Sequence, residues 1–269
     1  MAACRAGVAR GENRLHPAFE LYEEVLSLRP DTSRLGVQAL SGSIHILLQQ
    51  GHPDTARPFV ERLTNAARAT GNTRFSAQAS FTRGNVLLYE GHLKKAARMF
   101  QIAHAAAATS GDYRMQLNTL NSLGEVARYR GDADAAEDLY TTYTRLAHAR
   151  GYSLLEAVGW LNLALIALGH KNVALADLHA RRAGQAIARA PRSWVWMYVG
   201  VIRAAAAAHS QDEERANQWW KLAVDHGMQK LRSPDLWLPL SILADAAKEN
   251  GWESLEEQSW TLLATIPRP

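Results

Sequence analysis

Cysteine is nearly missing from this sequence: Cys4 is the only one in 269 residues. No intrachain disulfide and no cysteine-built metal cluster can form. Proline is scarce too, at nine, which leaves long stretches free of the residue that most strongly breaks helices. No run alternates Val, Ile, Thr or aromatic residues with polar ones, so strands have no basis. The N-terminus lacks the apolar core of a signal peptide. The longest apolar stretch, Ala157 to Gly169, contains Asn162 and is too short to span a bilayer. No Asn-x-Ser/Thr acceptor occurs. Together these absences lead us to expect a soluble, cytoplasmic protein with no membrane partner.

Signatures of chemistry are also missing. The sequence has no Gly-x-x-x-x-Gly-Lys-Ser/Thr loop, no Gly-x-Ser-x-Gly elbow and no His-Glu-x-x-His. His45, His92, His104, His148 and His179 are scattered over different predicted helices. Asp132 with Asp134, Glu213 with Glu214 and Glu256 with Glu257 are paired by sequence only. Each pair falls at a helix start or on an outer face, where the helix dipole favours negative charge. The expectation is a non-enzyme without metal or cofactor.

What is present is alanine, within a composition that is 47% hydrophobic, too apolar for a disordered chain. Helix is the natural state of such a sequence, and the fold class read from it is all-α. The formal charge is +4. Five arginines (Arg181, Arg182, Arg189, Arg192, Arg203) occur between Leu178 and Gln211 without an acidic residue, and Asp212-Glu213-Glu214 follow at once. Nucleic-acid binding would need them on one surface with stacking aromatics. A solvated helix face is the simpler reading, so nucleic acid is not an expected partner.

The chain repeats with a period of 40 residues, the signature of stacked units. Turns within helix pairs fall at Gly51, Gly91, Gly131, near Gly169-His170-Lys171, near Ser210-Gln211 and at Gly251; loops between pairs fall at Gly71, Gly111, Gly151 and Pro191. A crossing alanine recurs at Ala56, Ala96, Ala136, Ala176 and Ala216, facing Gly84, Gly124, Ala164, Ala204 and Ala244. Two helix axes approach closely only where both side chains are small. Four residues past each alanine, on the same helix face, come Val60, Phe100, Tyr140, Ala180 and Trp220, and in the last helix Trp260 follows Glu256, which stands in the alanine's place. All of these but Ala180 are large enough to fill the gap to the next pair, and Trp220 and Trp260 are expected in the core. One pair cannot bury its apolar face alone, so the pairs must stack.

Leu120, Leu123, Gly124, Ala127, Gly131, Ala136, Tyr140 and Tyr143 carry a spacing that resembles a tetratricopeptide repeat. HEAT repeats also run near 40 residues, but the small–aromatic alternation favours the tetratricopeptide type. The longer repeat, with Ala66-Ala67-Arg68-Ala69-Thr70-Gly71 and Leu120-Asn121-Ser122-Leu123-Gly124-Glu125, is similar to the helical arms of large bacterial regulators, among them MalT-like activators and some Ser/Thr kinases. The resemblance implies one right-handed α-solenoid without a domain break. Its parts are an incomplete repeat over residues 1–30 and helix pairs over 31–71, 72–111, 112–151, 152–191, 192–231 and 232–269. Met1 to Arg10 reads as too short for a full partner helix, and the chain reads as a piece of a longer regulator.

The resemblance further implies that the first helix of each pair lines a concave groove. Carried over by position, the groove holds Gln38, Ser41, His45 and Gln49, then Gln78, Phe81, Asn85 and Tyr89, then Asn118, Asn121, Glu125 and Arg128. Amides donate and accept at once, which suits the backbone of an extended peptide. Lysine is absent from these positions, which disfavours the family's carboxylate clamp. Farther along, the same positions turn apolar, with Val158, Leu161, Leu165 and Leu168, then Tyr198, Val201, Ala205 and Ala208. That stripe packs on the next pair, takes a hydrophobic ligand, or is covered by a second copy. Trp194 and Trp219 add possible anchors. The expected function is a protein- or peptide-binding scaffold; the alternatives are a sensor holding a small metabolite and a self-assembly module.

Overall fold

The computed structural model describes residues 2–11, 14–188, 193–228 and 234–266. Cα packing divides the chain into two compact units, Met1–Asp132 and Ala133–Pro269, each considered by itself. Among the described residues there is no strand.

The first unit holds α1 (Ala2–Gly11), α2 (Leu15–Leu28), α3 (Arg34–Gln49), α4 (Pro53–Thr70), α5 (Thr73–Tyr89), α6 (Leu93–Thr109) and α7 (Tyr113–Tyr129). The second holds α8 (Ala133–Ala149), α9 (Ser153–Gly169), α10 (Val173–Ala186), α11 (Ser193–His209), α12 (Glu213–Asp225), a 3-10 turn (Pro234–Leu236), α13 (Trp237–Glu249) and α14 (Glu253–Leu263). Within the units α3 pairs with α4, α5 with α6, α9 with α10, α11 with α12 and α13 with α14. Residues 2–11 form a short helix packed on α2, where Ala3 and Ala6 bury against Ala18, Tyr22 and Val25. At ten residues it is shorter than the other α-helices described, which run from 11 to 18.

Four helix ends closed by glycine are built alike. At Gly51, Gly91, Gly131 and Gly251 the backbone is left-handed, and the next residue's N–H donates five positions back, as His52 does to Leu47 O (2.8 Å) and Trp252 to Ala247 O (2.9 Å). This arrangement satisfies carbonyls that the last helical turn leaves open. Two non-glycine residues adopt the same geometry, Lys171 and Gln211, both at φ 58°. Their N–H groups donate to Leu168 O and Ala208 O. The left-handed region costs an L-residue roughly 1–2 kcal/mol, and glycine's greater unfolded entropy offsets part of that. Lys171→Gly and Gln211→Gly are therefore each expected to raise stability by about 0.5–1 kcal/mol. Urea unfolding of the single variants checks this, and a lower midpoint for either would refute it. Pro191, expected to close a loop, lies outside the described residues, as do Arg189 and Arg192.

The crossing positions are fully sequestered: Ala56, Ala96, Ala136, Ala176 and Ala216 are all at 0% exposure. Gly84 shows why the opposing residue must be small. A Cβ added there would lie 2.5 Å from Cε1 of Phe100. Val60, Phe100, Tyr140, Ala180 and Trp220 are buried as expected, and the Trp220 indole N–H donates to Gln258 Oε1 (2.8 Å). Trp260 is a correction: it is 43% exposed. In α14 the buried face is Leu255, Ser259, Leu262 and Leu263, which turns Trp260 outward because no further helix covers it among the described residues.

Candidate functional site

In the first unit α3 adjoins α5 and α5 adjoins α7, so the first helices form a row. Along α3, Gln38, His45 and Gln49 are exposed and Ser41 is half-buried, its hydroxyl donating to Val37 O (2.8 Å). On α5, Gln78 and Asn85 are half-buried and Tyr89 is exposed. Phe81 is more structural than expected, because its ring leans on Phe100 at 5.7 Å between centroids. On α7, Asn118, Asn121, Glu125 and Arg128 are half-buried. Asn121 Nδ2 donates to Glu125 Oε1 (2.8 Å), and the Arg128 guanidinium lies over Tyr129 (4.9 Å). Partial desolvation, together with the Glu125 carboxylate, raises the Tyr89 phenol above its ordinary pKa. That coupling brings α5 and α7 residues into one polar neighbourhood.

The second unit treats its first helices differently. Leu161, Leu165 and Leu168 are buried, and Tyr198 of α11 with Leu238 and Ile242 of α13 pack over them. Val201, Ala205 and Ala208 are at 0% exposure in the neighbouring cluster, beside Leu240, Leu243 and Ala244. Helix α13 touches both α9 and α11, which closes the surface. The apolar stripe offered above as a contact for a partner is therefore core, and only half-buried Val158 and Tyr198 keep some exposure. Neither a hydrophobic ligand nor a second copy can reach the buried members without opening the unit.

The tryptophans divide by neighbour. Trp194 is 40% exposed and meets Tyr198 edge-on at 6.3 Å. Trp196 packs on Gly184 and stacks on His226. Trp219 is half-buried under the Arg203 guanidinium, 3.7 Å from its ring centre. Arg203 also reaches Asp177 (Nε to Oδ1, 2.7 Å), which Arg181 grips from its own helix (2.8 Å). The described arginines of that basic stretch are thus bound to particular partners rather than spread as one charged face.

A cleft of about 480 Å³ lies elsewhere in the second unit, among α8, α9 and α10. From α8 it takes Glu137, Thr141, Thr144, Arg145 and His148; from α9, Glu156, Trp160 and Leu163; from α10, His179 and Arg182. The α8 set follows helical spacing, so one face supplies it. Glu156 Oε1 receives His148 Nδ1 (3.1 Å) and the Trp160 indole N–H (3.4 Å). The Trp160 ring stacks with His179 (5.3 Å, 23°) and lies under Arg182 (4.7 Å). His179 Nδ1 is buried without a hydrogen-bond partner. Burial, and then the Arg182 charge, lower the His179 pKa, which leaves the ring neutral at pH 7. Sequence reasoning placed His148 and His179 on separate helices and did not join them. The available signal was Trp160, which stands apart from the seven tryptophans that begin at Trp194.

Among the described residues no cluster of His, Cys, Asp or Glu could hold a metal ion, and no helix is long and apolar enough to cross a membrane.

No protein-family model matches the sequence, and no curated protein matches it. Solved structures do match in fold. A Rap protein complexed with Competence and Sporulation Factor is 14% identical, with a TM-score of 0.73 over 98% of this chain and 73% of that one. The apo form of RapI is 12% identical, at 0.66 over 98% and 95%. A signal transduction ATPase with a tetratricopeptide repeat sensor, from Pyrococcus horikoshii, is 14% identical at 0.66; the match covers 98% of this chain and only 41% of that protein. At such identities the likeness concerns architecture alone. Its fold is that of a tetratricopeptide-type α-solenoid.

Proposed function

We propose that this chain is a protein-binding repeat scaffold that holds an extended peptide segment along the α3–α5–α7 row of its first unit. The observation that carries the reading is the contrast between units. The equivalent row in the second unit is filled by α13, whereas the first unit presents amides, hydroxyls and a tyrosine at the same positions. An extended peptide brings one donor and one acceptor per residue, and Gln38, Gln78, Asn85, Asn118 and Asn121 can meet both. Phe81 and Tyr89 supply apolar surface beside them. A protein of similar fold is seen complexed with Competence and Sporulation Factor, which supports a binding role for this architecture.

The test begins by selecting ligands from a random peptide display library against the whole chain. Titration calorimetry then compares the recovered peptides on the wild type and on the triple variant Asn85→Ala, Asn121→Ala, Glu125→Ala. Each lost hydrogen bond is worth about 0.5–1.5 kcal/mol, more where a charge takes part. The triple variant should therefore weaken binding by at least about tenfold with helicity and melting unchanged. Undiminished affinity would remove the peptide from this row.

A further inference from the structure

We propose that the cleft among α8, α9 and α10 is a second, separate binding site, for an organic carboxylate. The guanidinium groups of Arg145 and Arg182 receive the anionic group, and Trp160 with Leu163 carries the apolar body. Nothing in this assignment depends on the α3–α5–α7 row.

The charges at the cleft decide its chemistry. Arg145 and Arg182 face it from two different helices, and among the described residues neither is ion-paired. An arginine fork matches a carboxylate in shape and charge. The two acidic residues do not take that role. Glu156 is already occupied by His148 and Trp160. Glu137 stands eight residues before Arg145 on α8, about 12 Å along the helix axis. Arg182 is held in place by the Trp160 face beneath it, so little order is lost when a ligand arrives.

His179 adds a third donor. Its Nδ1 is buried and without a partner, and a buried N–H left unmade costs more than an unused acceptor lone pair. The ring proton therefore sits on Nε2, the other nitrogen of a ring that lines the cleft. Two guanidinium groups and one N–H suit a singly charged carboxylate. A doubly charged phosphate would meet Glu137 and Glu156 with greater repulsion. The volume falls within the range of roughly 300–1,000 Å³ that small-molecule sites occupy.

The same chemistry can come from a free organic acid or from the carboxyl terminus of a peptide, and the experiment separates them. Titration calorimetry on the whole chain uses 3-phenylpropionate, its uncharged amide, and acetyl-Gly-Gly-Phe with a free carboxyl group. At least one of the two acids is expected to bind. 3-Phenylpropionamide should bind at least about tenfold more weakly than the better of them, and Arg145→Gln or Arg182→Gln should cost about 10–100-fold. Both arginines are exposed, so melting should not move, and a melting curve for each variant confirms that the fold survives. Tighter binding of the tripeptide assigns the site to peptide termini; tighter binding of 3-phenylpropionate assigns it to free acids. Heat from neither acid, equal binding of acid and amide, or wild-type affinity in both variants overturns the proposal. The Asn85, Asn121 and Glu125 substitutions should leave these affinities unchanged, so failure of either site is read independently of the other.

Discussion

Phe100→Ala is expected to destabilise the first unit by about 3–5 kcal/mol, the range for removing a fully enclosed aromatic ring. Phe100 has 0% exposure. Its ring lies over Gly84, against Phe81 at 5.7 Å, and in one cluster with Ala96 and Val126. Three helices, α5, α6 and α7, thus meet on one side chain. Their backbones hold the gap open, because Gly84 and Ala96 have nothing to extend into it. Thermal unfolding followed by circular dichroism should show a fall of roughly 10–20 °C in the midpoint of this unit. Gly84→Ala probes the same contact from the other side. It should destabilise the wild type by about 1–3 kcal/mol and be close to neutral in the Phe100→Ala background, where its methyl group has room. Equal effects in both backgrounds would show that the two residues are not coupled.

In the second unit, Asp177→Ala is expected to cost about 1–3 kcal/mol at neutral pH, with a defined pH dependence. Asp177 accepts from Arg203 of α11 and Arg181 of α10. The Arg203 side chain is only 18% exposed and also covers Trp219. Removing the carboxylate leaves this guanidinium partly desolvated and without its anion, which costs more than an exposed pair would. Burial alone would raise the Asp177 pKa, but the hydrogen bonds and charges of the two arginines outweigh it, and the group titrates below its ordinary value. A carboxyl depressed in the folded state contributes stability that is complete above its unfolded pKa, near 3.9. That contribution is lost as pH falls through the folded value. The gap between wild type and Asp177→Ala should therefore be constant from about pH 6 to 5 and shrink below about pH 4. Urea midpoints across that range measure it. A gap that widens on acidification would contradict the assignment.

The helices and the turns between them are legible in the sequence because short-range rules govern them. Five alanines in one register cross glycine or alanine because only small residues allow that approach, and the left-handed turn residues follow from helix-end hydrogen bonding. Even Lys171 and Gln211 stand where their glycine counterparts would, since the neighbouring helices require the turn whatever its residue. Trp260 was misjudged for a related reason. Whether a face is covered depends on which helix lies beside it.

The sites were less legible. Of the positions carried over from a helical repeat, Gln38, His45 and Tyr89 are exposed, because their exposure follows from helix phase alone. The same arithmetic put Leu161, Leu165, Leu168 and Val201 on one apolar stripe but left open whether the next pair, a ligand or a second copy covers it. Helix α13 lies across α9 and α11, and its Leu238 and Ile242 close the stripe. The cleft of the second unit depends on three helices meeting, so Arg145, Trp160 and Arg182 converge across 37 positions of sequence that no local period connects. By itself, then, the sequence determined the helices, their turns and their crossing points, because contacts between near neighbours decide these. Only the tertiary structure decided which apolar face is core and which charged groups share a cleft, because burial and electrostatic pairing depend on distances between helices remote in sequence.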